Sequence, residues 1–281
     1  PVLKQKLGDD PPPQKLAENQ RPEPLTGFDG GDRRFVLAGI AAHNGMLVAS
    51  LVRQNELLFI DAQQGTVLGK APVDNPRCVA FDQDGRLLVL SGKRLLRFAA
   101  MNKDAAQGPL PPPQVAVGER LDEPRHATTD EQGNIYVTDR GGSHQVKVFA
   151  ADGQFVRAIG KPGEPSIGPY DPLRMNQPNG VAIDSQGRIW VAEDDYHPKR
   201  ISVWSKQGEL LRAFYGPAEY GGGGVLDPRD PARFYYKGLE FRLDGDRGSD
   251  QLVRVFYRPD DLLHAHYGPH SPDTPLYPDS R

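Results

Sequence analysis

The sequence is poor in several things, and each shortage excludes something. Cys78 is the single cysteine in 281 residues, so an internal disulfide framework and a Cys-based zinc site are both ruled out. Cys78 reads instead as a small buried apolar side chain on a strand. No apolar run approaches the roughly 18 residues of a membrane-spanning helix. Charge of one sign is also lacking: 34 Lys and Arg stand against 37 Asp and Glu, a formal net charge of −3. So balanced a chain has no bulk attraction for nucleic acid or an anionic membrane. There is no Gly-x-Ser-x-Gly elbow, and Gly221 to Gly224 lack the preceding strand and following Lys-Ser/Thr of a phosphate loop, so they read as a hinge or close backbone contact. The chain opens on Pro1 without an initiator Met or a charged-then-apolar leader. That reads as a piece of a longer, soluble protein. Its compartment stays unassigned, with a lean toward an extracytoplasmic setting, and other domains of the same parent chain are expected partners.

Turn formers are abundant, with 31 Gly and 27 Pro. Residues 1–32 carry Pro11-Pro12-Pro13, Pro22 and Pro24 among many charges and read as an extended linker or arm, because that proline density defeats a helix. Residues 259–281 read as a Pro- and His-rich tail or a remnant of a last repeat. Between them, residues 33–258 repeat. The stretch from Gln177 to Gly216 holds four short apolar runs, GVAID, RIWVAE, RISVWS and ELLRAFYG, separated by the turns DSQGR and SKQGE and the loop DDYHPK. Four alternating runs bounded by turn residues predict an antiparallel meander. Related lines run from Gly39 to Ala71, Arg77 to Ala99 and Arg125 to Gly160, and a degenerate one from Tyr236 to Arg258. Pro76, Pro124 and Pro178 stand at matching places, as do Asp82, Asp130 and Asp184, and Gly85, Gly133 and Gly187. The spacing is that of a repeat array.

Each repeat predicts a small-residue strand, an Asp-x-x-Gly turn and then an alternating strand such as Ile189-Trp190-Val191-Ala192, with one face for each neighbouring sheet. A four-stranded sheet with two apolar faces cannot stand alone. Radial packing buries both faces, which predicts an all-β propeller of five to six four-stranded blades, irregular or incomplete. Pro-x-Gly-Val-Ala-Ile-Asp, then Gly-Arg-Ile-Trp-Val-Ala-Glu, Arg-Ile-Ser-Val-Trp and Gly-Glu-Leu-Leu-Arg-Ala-Phe-x-Gly resemble the NHL repeat. The resemblance extends over about Gly39 to Arg258. It implies the propeller architecture and says little of function, since the family includes scaffolds, RNA-binding modules and enzymes.

Strand order sorts the loops. First-to-second and third-to-fourth turns share one end of the ring and read as uniformly short. Second-to-third loops and blade links share the other end, which is expected to hold the insertions Ala100 to Leu121, Lys161 to Gln177 and Tyr215 to Tyr235. Long loops on one end of a rigid scaffold mark it for binding. The residue before each innermost strand is expected at the channel mouth there: Arg77, Arg125, Asn179 and Lys237. With Arg140, Tyr196 and Tyr220 they form the candidate ligand-binding set. Guanidinium groups offer bidentate donors to carboxylate or phosphate, although the same residues could equally hold blades together by pairing with nearby acids. The leading expectation is therefore a non-enzymatic propeller module that binds a protein or small anionic ligand without a cofactor. Nucleic acid is not expected, because no broad basic stripe accompanies the loop tyrosines. The alternative is a metal-dependent hydrolase or lyase, lactonase-like or amidating-lyase-like, with calcium or zinc at the mouth. Its candidate ligands are Asp139, Glu193, Asp194, His126 and His197. Against it, the amidating lyases resemble these repeats but would place His straight after the blade-opening Pro, where this chain has Arg77, Arg125 and Asn179.

Overall fold

The computed structural model describes residues 37–193, 198–216, 225–236, 239–244 and 249–256. Among these the chain is all β apart from one 3-10 turn at Ala105–Gln107, and it forms five antiparallel sheets. The first holds β1 (Leu37–His43), β2 (Met46–Leu51), β3 (Glu56–Asp61) and β4 (Val67–Pro72) in sequence order, and the second β5 (Pro76–Phe81), β6 (Arg86–Ser91), β7 (Arg94–Ala100) and β8 (Gln114–Val117). The third holds β9 (Pro124–Thr129), β10 (Ile135–Asp139), β11 (Gln145–Phe149) and β12 (Phe155–Ile159). After β13 (Gly168–Pro169), the fourth holds β14 (Pro178–Ile183), β15 (Ile189–Glu193), β16 (Arg200–Trp204) and β17 (Leu210–Tyr215). The fifth holds β18 (Val225–Asp227), β19 (Asp230–Tyr236), β20 (Leu239–Asp244) and β21 (Ser249–Val255), with β13 added outside β21. The first strands β1, β5, β9 and β14 lie side by side, so four sheets stand as blades around a common axis.

The turns that define the repeat are built locally. Asp82, Asp130 and Asp184 each accept two backbone N–H bonds through Oδ1, from the residues two and four places on. Their Oδ2 atoms accept from the blade's own second strand: Arg86 Nε, the Tyr136 hydroxyl and Trp190 Nε1. Gly85, Gly133 and Gly187 take the positive φ that closes each turn. Between blades the apolar faces interdigitate. Met46, Val48, Leu57 and Phe59 meet Val79, Leu87, Val89 and Phe98, while Tyr136, Val146 and Val148 meet Val181, Ile189, Val191 and Trp204. Cys78 is buried on β5 between blades two and three, as expected. Burial raises its thiol pKa to about 11, so it is inert at neutral pH.

Two expectations about loops need correction. Most of the Ala100 to Leu121 segment joins β7 to β8, a third-to-fourth connection, and so emerges at the end expected to be plain. It buries Ala106 beside Met46 and Phe98 in the core between blades one and two. The proline run concealed the short strand Gln114–Val117 that follows it. The fifth repeat also begins earlier than Tyr236. Asp227 is its turn residue, accepting from Arg229 N, Arg233 Nη1 and the Tyr235 hydroxyl. β18 and β19 therefore occupy much of the expected Tyr215 to Tyr235 insertion, and β20 is a middle strand flanked by β19 and β21.

Candidate functional site

Every complete blade starts with the same irregularity. Pro76 faces Ser91 while Cys78 faces Leu90, Pro124 faces Asp139 while His126 faces Thr138, and Pro178 faces Glu193 while Gly180 faces Ala192. In blade one the same slip lies between Leu37 and Gly39. One residue per blade is thereby left outside the ladder: Ala38, Arg77, Arg125 and Asn179. A bulge of this kind re-aims a side chain at a sheet's rim. It sets these residues at the inner end of the first strands, beside the blade links and the second-to-third loops.

Three of the expected cations come together there. Arg125 is ion-paired with Glu123, yet its guanidinium pKa is lowered, first by burial and then by the like charges of Arg140 and Arg77, with Glu123 opposing. Its Nε is buried with no hydrogen-bond partner among the described residues. Arg77 Nε donates to Asn75 Oδ1 at 3.4 Å, and the Arg140 backbone N–H donates to the Glu123 carbonyl. Asn179 has an exposed side chain position, and its carbonyl accepts from the Thr138 hydroxyl of the preceding blade. Lys237, Tyr196 and Tyr220 lie outside the described residues, as do Asp194 and His197. Glu123 was not anticipated as a partner: it lies in the bend just before β9, and the bulge at Arg125 turns that side chain toward it. A further regularity is visible in hindsight: each second-to-third loop of the four blades carries a cation, Arg53, Lys93, Arg140 or Lys199. Lys93 is paired with Asp122 at 2.8 Å.

The metal-ligand candidates that are described have structural employment. Asp139 accepts the backbone N–H groups of Asp122 and Glu123 and pairs with Lys147. One repeat later, Glu193 does the same work. Its Oε2 accepts from Asn176 N at 2.7 Å, and its Oε1 accepts from Ser202 Oγ and Arg200 Nε. In blade two Ser91 takes that place, donating to the Asp74 carbonyl. In blades two, three and four the last residue of the second strand thus latches the preceding blade link. His126 accepts the Val181 N–H through Nδ1, and burial lowers its pKa while this bond opposes. Among the described residues no three His, Cys, Asp or Glu side chains come together as a metal site.

The Lys161 to Gln177 segment is bound to the scaffold rather than free to receive a ligand. Arg200 reaches it with the Tyr170 hydroxyl at 2.6 Å, the Pro172 carbonyl at 2.8 Å and the Arg174 carbonyl at 3.0 Å. Gly168 and Pro169 pair with β21. Among the described residues no helix is long and apolar enough to cross a membrane.

The NHL repeat family model matches residues 175–204, which include the first three strands of blade four. The chain is 33% identical over 96 residues to human NHL repeat-containing protein 3, covering 34% of this chain and 26% of that protein. It is 32% identical over 163 residues to a probable peptidyl-alpha-hydroxyglycine alpha-amidating lyase of Caenorhabditis elegans, covering 52% and 43%. The chain therefore spans less than half of each relative. In fold it is similar to a chain of a nidogen/laminin complex, with a TM-score of 0.50 at 16% identity over 79% of this chain and 80% of that one. The repeat match at residues 175–204, the Asp-x-x-Gly turns and the bladed sheets together show a β-propeller that carries an NHL repeat.

Proposed function

We propose that the chain is a binding module that takes an anionic ligand, a small molecule or an acidic segment of a protein, at the loop-rich end of its channel. The observation that carries this is the grouping of Arg77 and Arg140 near Arg125, which is itself ion-paired with Glu123. Like charges beside the partly buried Arg125 guanidinium are held there at a cost. A bound carboxylate or phosphate would relieve that repulsion and accept the forked donors that guanidinium groups present. Asn179 and the loop cations complete the rim.

Calorimetric titration with citrate and with inorganic phosphate tests the reading. Arg125→Ala should abolish binding while the melting temperature stays unchanged. Binding that survives in the variant, together with a large drop in melting temperature, would make Arg125 a strut between blades and overturn the proposal.

The similarity to a probable amidating lyase favours a second reading, catalysis at a metal held at the same mouth. Asp139 and Glu193 fit that role poorly, since their oxygens already serve backbone amides and cations. Metal analysis of protein purified without added metal separates the two. Stoichiometric zinc or calcium that Asp139→Asn and Glu193→Gln release would support the enzyme. Metal-free protein with stability unaltered by chelator would count against it.

A further inference from the structure

Blade four repeats, residue for residue, the face with which blade three grips it, yet leaves much of that face in water. In blade three Tyr136 stands opposite Val148, Val146 opposite Ile159, and Val148 opposite Arg157. In blade four the same registers hold Trp190 opposite Val203, Ile201 opposite Phe214, and Val203 opposite Arg212. Tyr136, Val146 and Ile159 are 1%, 0% and 1% exposed, sealed against blade four. Their counterparts Ile201 and Phe214 are 45% and 44% exposed, and Trp190 is half-buried. Arg157 crosses the seam to the Lys206 carbonyl in the next blade's third-to-fourth turn, whereas Arg212 lies over the Phe214 ring.

The complementary face is partly open on blade one. Ile40 faces Ala49 as Val79 faces Val89 in blade two and Val181 faces Val191 in blade four. Val79 and Val181 are 2% and 4% exposed beneath their neighbours, while Ile40 is 60% exposed, with Leu47 and Ile60 only half-buried beside it. Among the described residues the chain's own fifth blade answers neither face. Its apolar side, Phe234, Leu239 and Phe241, is occupied with Tyr170 and Tyr215. Its other side carries Arg233, Glu240, Arg242 and Arg254 in a charged network.

We propose that the Trp190–Ile201–Phe214 face of one molecule docks on the Ile40–Leu47–Ile60 face of a second copy of this chain, reproducing in trans the seam between blades three and four. The contact joins two different surfaces, so it is head-to-tail and propagates unless the rotation closes a ring.

Sedimentation velocity on the full 281-residue chain decides this. The weight-average mass should rise with concentration, through dimers to larger species. Ile40→Arg and Phe214→Arg should each be monomeric with the wild-type melting temperature. An equimolar mixture of the two should form a dimer and stop there, because that pair retains one intact face of each kind. Wild-type protein that stays monomeric from micromolar to millimolar concentration would overturn the proposal whether or not either variant folds. So would a mixture of two folded variants that fails to associate.

Discussion

Arg200 and Glu193 face each other across β15 and β16, Nε 2.7 Å from Oε1, with both side chains fully out of water. Burial pushes the Glu193 carboxyl pKa up even with Arg200 beside it. Burial also works against the Arg200 charge, but Glu193 overcomes it and raises that pKa. The pair is satisfied only because three further oxygens meet the guanidinium and an amide and a hydroxyl meet the carboxylate. Arg200→Met leaves a buried carboxylate uncompensated, which should cost about 3–5 kcal/mol in urea unfolding. It should also release the Lys161 to Gln177 segment to proteolysis ahead of the blades. A loss under about 1 kcal/mol would show that the segment docks without this anchor.

Tyr136 and Trp190 occupy the same repeat position in different surroundings. Tyr136→Ala empties a sealed seam and should cost about 3–5 kcal/mol. Trp190→Ala, measured in dilute protein, should cost roughly half of that or less, because its ring is already partly in water. Equal losses would mean that something covers blade four in the monomer.

Asp61 gives a pH dependence with a definite sign. Lys103 at 2.8 Å and the N–H groups of Gln64 and Gln63 lower its pKa from 3.8 to about 2. A lowered carboxylate stabilises the fold above its unfolded pKa, and that stabilisation is lost as pH falls through the folded value. Between pH 4 and pH 2 the wild type should therefore lose melting temperature faster than Asp61→Asn. Parallel curves would show that this site is not responsible.

Gly153 and Gly65 both have positive φ, in third-to-fourth turns of different blades. A Cβ on Gly65 meets nothing within 4 Å, whereas one on Gly153 would run into the Ala116 carbonyl of the neighbouring blade. Gly65→Ala should cost about 1–2 kcal/mol from backbone conformation alone. Gly153→Ala should cost more and shift blade two against blade three, seen as lost amide protection in β8. Similar losses would show that the turn moves freely.

The repeats are legible in sequence where the physics is local. Asp82, Asp130 and Asp184 bond to amides two and four residues away, and the glycine that closes each turn answers a positive φ that most residues adopt only at a cost. The fifth blade hides because its turn, Asp227-Pro228-Arg229-Asp230, has no glycine. The mouth was partly readable, since the residue after each opening proline is a position set by the repeat. Which loops decorate that mouth was not. The partners of Arg200 in the Lys161 to Gln177 segment lie some 26 to 30 residues back in the chain, and burial of a cation leaves no periodic trace. A long insertion and a docked brace look alike until the guanidinium that holds the brace is found.

The two-residue strand β13 carries an implication for synthesis. Blades one to three can each form as they leave the ribosome, because their pairings join neighbours in sequence. Gly168 and Pro169 must wait for β21, which is made only after all of blade four. Until then the brace between blades three and four lacks its far anchor. A nascent chain halted before Ser249 should therefore hold four folded blades and a protease-sensitive connector. The final hydrogen bonds of the last blade would close a joint laid down near the middle of the polypeptide.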